Sequence, residues 1–295
     1  MAIRLITSAL LCFALSAPAS AAESAAQQGN AAERKIVVYQ VFTRLFGNTQ
    51  TANIPWGTQQ QNGVGKFNDF NDKALDGIKQ LGVDYIWYTG VPHHAMVADY
   101  TKYGIQNDGP EVVKGRAGSP YAVKDYYSVD PDLAADPAKR LQEFEALIAR
   151  SHKHGLKVII DIVPNHVARR YQSIGKPEGV RDFGQDDNTS MEYARNNDFY
   201  YVPGQAFKVP QWPSSYTVLN GQASTGLDGQ FDENPAKWTG NGSRLTQPKF
   251  DDWYETVRIN YGVKPDGTHD FPALPSGYAD KDWQAHYQFW QGRSV

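Results

Sequence analysis

Lys157-Val158-Ile159-Ile160-Asp161-Ile162-Val163-Pro164-Asn165-His166 is the stretch that decides the fold. Its first seven residues are mostly apolar and β-branched, the pattern of a strand buried on both faces of a parallel sheet. Asp161 interrupts the run. A carboxylate in such a strand is costly unless hydrogen-bonded, so Asp161 is either a satisfied core residue that fixes the following turn or part of a site. Asn165 and His166 follow directly, in the strand-to-loop turn. Parallel α/β proteins collect function there, beyond the carboxyl ends of the strands. An Asn carbonyl is a good calcium ligand, and a His at such a place can donate to a hydroxyl or move a proton.

Upstream of this strand, Asp136-Pro137 reads as a helix start, a cap followed by proline at the first helical position. Leu141, Phe144, Leu147 and Ile148 form the apolar stripe, and Gly155 ends the helix. Arg150, His152, Lys153 and His154 occupy the last turn, where they complement the helix dipole as solvated groups. Further upstream, Val83 to Tyr88 predicts a second strand, and Leu75, Ile78 and Leu81 a preceding helix stopped by Gly82. Lys35 to Phe42 predicts a first strand, again buried on both faces, and the stretch after the second strand reads as a loop to about residue 135. The order strand, helix, strand, helix, strand implies an α/β fold with a parallel sheet and right-handed crossovers.

After Pro164 the texture changes. Residues 164–275 are rich in Gly, Pro, Asn, Asp, Tyr and Trp with little periodicity. That length exceeds a connector and reads as an inserted subdomain with short strands. Residues 279–291 look helical again, with Trp283, Tyr287 and Trp290 at four- and three-residue spacing.

The whole chain has 295 residues, 41% hydrophobic and 21% charged, with a formal net charge of −3. This excludes a disordered tail, a collagen-like repeat and a basic nucleic-acid-binding arm. Residues 1–21 read as a signal peptide: Arg4, an apolar run from Leu5 to Ala17, and Ala19-Ser20-Ala21 as a small-x-small cleavage site. The expected location is therefore exported, either periplasmic or extracellular. Residues 22–34 read as a flexible lead-in. Cys12, the single cysteine, lies in the leader, so a mature chain has no disulfide and no thiolate. No later stretch has the ~18 apolar residues of a membrane span.

Four motifs in order carry a resemblance. Asp161-Ile162-Val163-Pro164-Asn165-His166 resembles the first conserved region of the α-amylase family, glycoside hydrolase family 13. Gly82-Val83-Asp84-Tyr85-Ile86-Trp87-Tyr88-Thr89-Gly90-Val91 resembles its second barrel strand, and Tyr39-Gln40-Val41-Phe42 its first. Ser119-Pro120-Tyr121-Ala122-Val123-Lys124-Asp125-Tyr126-Tyr127-Ser128-Val129-Asp130-Pro131 resembles its Tyr-containing loop before the second helix. The matches span residues 36–166, and the likeness is strongest to exported bacterial neopullulanase-like and α-amylase enzymes. The resemblance implies the N-terminal part of a (β/α)8 TIM barrel. Residues 35–163 would hold its first three strands, 164–275 an inserted B domain, and 276–295 the third barrel helix, leaving the barrel incomplete before its fourth strand.

The resemblance also implies roles. His166 would hydrogen-bond the sugar where the bond breaks, Tyr121 would stack on that sugar, and Asp161 would organise the site from beneath. Asn165 would ligate a structural calcium shared with the B domain. The substrate would be an α-glucan (starch, maltodextrin or pullulan) cut at α-1,4 linkages with retention. Retaining glycosidases need two carboxyl groups about 5–5.5 Å apart, one a nucleophile and one an acid/base. In the family the nucleophile is an Asp in a Gly-Phe-Arg-x-Asp context after the fourth strand, and the acid/base a Glu after the fifth. No Gly-Phe-Arg occurs in this chain, so the expectation is a glycosidase by family that is inactive alone, with open sheet edges and poor solubility. A non-catalytic α-glucan-binding protein is the alternative. A metal-dependent hydrolase using Asp161 and His166 is a third reading, but no His-Glu-x-x-His motif completes it, and the His-x-His at His152-Lys153-His154 falls in the last turn of a helix. Oligomeric state is not legible.

Other residues admit plain readings. His93-His94 reads as a pair of diverging loop side chains, and Gly63-Val64-Gly65 follows no strand and lacks the rest of a dinucleotide loop. Trp212, Trp238 and Trp253 either line a sugar groove or form the core of the inserted region. Asp69, Asp72, Asp186 and Asp187 are solvated, capping or calcium-binding groups.

Overall fold

The computed structural model describes residues 34–50, 52–221, 231–270 and 283–293. The leader expected over residues 1–21 lies outside the described residues, as do most of the 22–34 lead-in, residues 222–230 and 271–282, and the side chains of Trp283 and Tyr287.

Three strands form the parallel sheet that the sequence predicts: β1 (Val38–Phe42), β2 (Tyr85–Thr89) and β5 (Lys157–Ile160), in the order β1-β2-β5. The register runs from Val38 opposite Tyr85 to Phe42 opposite Thr89, and from Tyr85 opposite Lys157 to Tyr88 opposite Ile160. Between them lie the helices α1 (Asp72–Gln80) and α2 (Arg140–Lys153). Asn71 caps α1 by accepting from Ala74 N–H. Asp136 caps a 3-10 turn, Pro137–Lys139, that feeds α2. One sheet face, with Val41, Ile86, Tyr88 and Val158, packs on Leu75, Ile78, Phe144, Leu147 and Ile148.

The expectation of strands buried on both faces is corrected. Val38 is 46% exposed and Phe42 36%, and Gln40 between them is exposed too, so this face of β1 stays open. Leu81 is also displaced from its expected role: it follows α1 as the C-cap and is exposed, while Gly82 takes the left-handed conformation (φ +81°) that stops the helix.

The stretch expected to be loop to residue 135 holds an antiparallel pair, β3 (Pro92–His94) with β4 (Val123–Val129). β4 escapes sequence reading because Lys124 and Asp125 break its apolar run. Both are buried and satisfied: Lys124 Nζ pairs with Asp108 at 2.9 Å, and Asp125 accepts from the N–H of Tyr127 and of Ile174. His93 and His94 are therefore buried β3 residues, which corrects the loop reading.

Within residues 164–270 the strands are short: β6 (His166–Ala168) pairs antiparallel with β9 (Thr256–Arg258), and β7 (Tyr201–Val202) with β8 (Ala236–Lys237). Helix α3 (Trp283–Gln291) sends Trp290 into the parallel-sheet core, where its indole N–H donates to Tyr126 O at 2.8 Å. No described helix is long and apolar enough to cross a membrane.

His154 is not the solvated helix-end group expected. It closes the α2 terminus onto the start of α1, with Nε2 2.8 Å from Asp72 and Nδ1 2.6 Å from Asp76. Hydrogen bonds to Asp72 and Asp76 raise its pKa, and the same contact lowers that of Asp72. A raised His pKa stabilises fully below the unfolded value of about 6.5 and is lost as pH rises through the folded value. A depressed Asp pKa stabilises above about 3.9 and is lost as pH falls through the folded value. The wild type is thus expected to exceed His154→Ala in stability most between about pH 4 and 6.5, with the gap closing above that window. Thermal melts of both proteins across pH 4–9 check this; a gap unchanged across that range would remove the charged clasp.

Candidate functional site

The turn after β5 is held by phenols. Tyr126 Oη donates to Val163 O at 2.6 Å, Tyr261 Oη donates to Pro164 O at 2.5 Å, and Ile259 N–H donates to Asn165 O at 3.1 Å. These three bonds satisfy the carbonyls of a turn whose proline supplies no N–H, and they set His166 at the start of β6. Tyr121 arrives from another part of the chain, on the turn Ser119–Ala122, where Ala122 N–H donates to Ser119 O at 3.0 Å. Gly118 brings this turn against β3: at φ +68°, a Cβ there would meet Ala95 O at 1.8 Å, so the approach requires glycine.

Tyr121, Asn165 and His166 line one cavity of about 440 Å³, within the size range of small-ligand sites. Lys114, Ser119, Val163, Trp253, Glu255 and Thr256 complete its wall. His166 is buried, and burial lowers its pKa while a hydrogen bond to the Tyr121 main chain opposes the shift. The imidazole is therefore neutral near pH 7, a polar group without a charge to desolvate. Its Nδ1 meets Asn165 Oδ1. Asp161 is not among the residues lining the cavity; it is half-buried and near enough to interact with the Tyr121 hydroxyl. Burial and the Asp161 carboxylate together raise the Tyr121 pKa and keep its hydroxyl protonated. The buried Oδ1 of Asp161 has no hydrogen-bond partner among the described residues.

The three tryptophans left open by the sequence divide. Trp253 is 43% exposed and lines the cavity, its ring centroid 5.2 Å from that of His166. Trp238 is core, buried and stacked on Tyr200 at 4.5 Å. Trp212 joins an aromatic cluster with Tyr216, Phe250 and Tyr254. Lys114 and Glu255 were missed: each is a lone charged residue in an irregular stretch, and only folding brings their side chains within 3.2 Å.

The Asn165 amide oxygen contacts His166 Nδ1, and among the described residues no group of three or more His, Cys, Asp or Glu side chains is placed to hold a metal ion. The four open aspartates have structural partners instead. Asp69 accepts from Lys66 N–H, Asp72 pairs with His154, and Asp186 lies 3.7 Å from Arg181. Asp187 accepts from the N–H of Asp198 and Phe199 and from Tyr201 Oη.

The cavity, walled by aromatic faces, polar groups and the Lys114–Glu255 ion pair, lies beyond the carboxyl end of a parallel strand, where α/β proteins place their ligand sites. The model of the α-amylase catalytic domain matches residues 40–262, and the chain belongs to the α-amylase family. It is 30% identical over 139 residues to a trehalose-6-phosphate hydrolase of Bacillus subtilis, covering 47% of this chain and 18% of the relative. It is 24% identical over 275 residues to an α-glucosidase of Pediococcus pentosaceus, covering 88% of this chain and 39% of the relative. The chain thus spans less than two thirds of the length of these curated relatives. Among solved structures it is 30% identical to an α-amylase of Lactobacillus plantarum, with a TM-score of 0.32 over 47% of this chain and 24% of that one.

Proposed function

We propose that this chain carries the sugar-binding part of a retaining α-glucan hydrolase site. The observation that carries this is the joining of Tyr121 and His166, 45 positions apart in the chain, in one cavity, with Asp161 interacting with the Tyr121 hydroxyl. In this reading Tyr121 stacks on a glucosyl ring, His166 hydrogen-bonds its hydroxyls, and Asp161 holds the Tyr121 hydroxyl from behind. The rigid, amphipathic face of Tyr suits a sugar ring, and a neutral His suits hydroxyls that exchange with water. Residues 35–163 act as the first three βα units of a (β/α)8 barrel and 164–275 as its B domain. The exposed face of the β1-β2-β5 sheet supports that reading, since in a barrel it would turn inward.

No Gly-Phe-Arg-x-Asp motif occurs in these 295 residues, and on that ground the chain by itself is proposed to bind α-glucan without cleaving it. A non-catalytic α-glucan-binding protein uses the same cavity and is favoured by the same lack of a Gly-Phe-Arg-x-Asp motif. The expected result is measurable binding of maltoheptaose by calorimetry, with no release of reducing sugar. Tyr121→Ala should weaken binding by about 2 kcal/mol, roughly thirtyfold, as for an aromatic anchor in a pocket. Turnover of a chromogenic maltoside above that of His166→Ala would overturn the non-catalytic assignment; no binding at all would overturn the glucan reading.

A further inference from the structure

A second cavity, of about 380 Å³, lies between the loop after β1 and the loop after β3. Its wall carries Arg44, Trp56, Gln60, Lys114, Arg116 and Asp132, and it shares only Lys114 with the cavity at Tyr121 and His166. Three cations therefore face one carboxylate. Two of the three are matched. Arg44 Nη1 lies 2.8 Å from Asp132 Oδ2 and 3.7 Å from Asp130 Oδ2. Asp132 is committed further, since its Oδ1 accepts from Tyr100 Oη at 2.6 Å and from the Gln59 amide. Lys114 pairs with Glu255 at 3.2 Å, although its side chain stays 38% exposed.

Arg116 is the unmatched cation. It is half-buried on a turn closed by Gly118 N–H, which donates to Gly115 O at 3.2 Å. Its Nε donates to Trp56 O at 2.6 Å, and among the described residues its Nη1 and Nη2 take part in no hydrogen bond or ion pair. The guanidinium is thus held along one edge and open at the end of its fork, where two parallel N–H bonds can meet two oxygens of one ligand. Trp56, which holds it, adopts φ +57° and sits half-buried, edge-on to Tyr216 with ring centroids 6.2 Å apart. A bulky residue in the left-handed region persists only where its surroundings over-determine it, and such residues gather at ligand clamps. A concave, partly desolvated wall with one uncompensated positive charge attracts an anion. One fork and one point charge, Arg116 and Lys114, suit a dianion with three open oxygens better than a carboxylate.

We propose that this second cavity is a binding site for a phosphate-type oxyanion, free or as a monoester, with Arg116 as its bidentate anchor and Lys114 as the flanking charge. Arg116 does not line the cavity at Tyr121 and His166, so the oxyanion site is independent of the glucan reading.

The test is calorimetry of the 295-residue chain with inorganic phosphate, at an ionic strength held constant with chloride, and thermal melts alongside. Saturable phosphate binding is expected, with a rise in melting temperature that chloride at the same ionic strength does not give. Arg116→Gln is expected to weaken phosphate binding about tenfold or more, the size of a lost charge-assisted hydrogen bond. Gln60→Glu sets a carboxylate in the same wall at an exposed position, so it keeps the fold even where Arg116→Gln does not. It is expected to weaken phosphate at least about threefold by repulsion. Glycerol 3-phosphate is the second titrant: tighter binding than phosphate assigns the oxyanion to an ester, weaker binding to the free ion, and both support the site. Phosphate affinity equal in wild type and both variants, or no phosphate effect beyond that of chloride, overturns it.

Discussion

Replacing Arg169 with methionine is expected to destabilise the protein by about 3 kcal/mol, because it strands a buried carboxylate. The Arg169 side chain is fully buried, with Nη1 2.6 Å from Glu233 Oε1 and 3.4 Å from Lys237 O. Its Nε donates to Tyr254 O, and its guanidinium lies over the Phe207 ring at 4.0 Å. One side chain therefore ties β6 to the β8 region and to the loop that carries Trp253. Without it Glu233 keeps the Lys237 N–H at 2.8 Å and a longer contact to Lys237 Nζ at 3.5 Å, which holds the loss toward the lower end of the range for broken buried pairs. The double variant Arg169→Met/Glu233→Gln removes both charges and is expected to recover part of the loss. Urea unfolding of the three proteins measures this; a single-variant loss under about 1 kcal/mol would show that the pair is not what holds the segment.

Phe144→Ala should cost about as much, 3–5 kcal/mol, by a different route. Phe144 is fully buried on α2, with ring centroids 5.3 Å from Phe67 and 6.3 Å from Trp290. It is where the β1–α1 loop, α2 and α3 meet. Truncation leaves a cavity between rigid rings that cannot collapse onto it, so both the transfer loss and the cavity term apply. Phe144→Leu fills much of that space and is expected to lose well under half as much. The comparison is again made by chemical unfolding, and equal losses for Ala and Leu would argue against a packing origin.

The site was legible in part, for a local reason. Asp161, Asn165 and His166 are close in sequence, in the turn that a parallel strand presents to a ligand, so reading one motif located them together. Tyr121 came from the family likeness and not from periodicity, since its turn depends on Gly118 packing against Ala95. The Lys114–Glu255 pair was not legible, because 141 positions separate its members and neither carries a local pattern. The same limit hid β4, where buried Lys124 reads as a surface residue until Asp108 is placed against it.

Local information alone determined the succession β1, α1, β2, α2, β5, the helix stops at Gly82 and Gly155, and the turn at Pro164-Asn165-His166. Hydrophobic period and backbone conformational preference act over a few residues, so these are written in neighbouring letters. Which sheet face stays open, which tryptophan faces the cavity, and which charges are paired in it were decided only by tertiary structure. Burial and Coulombic pairing act between atoms brought together by folding, across separations in the chain that no local pattern records.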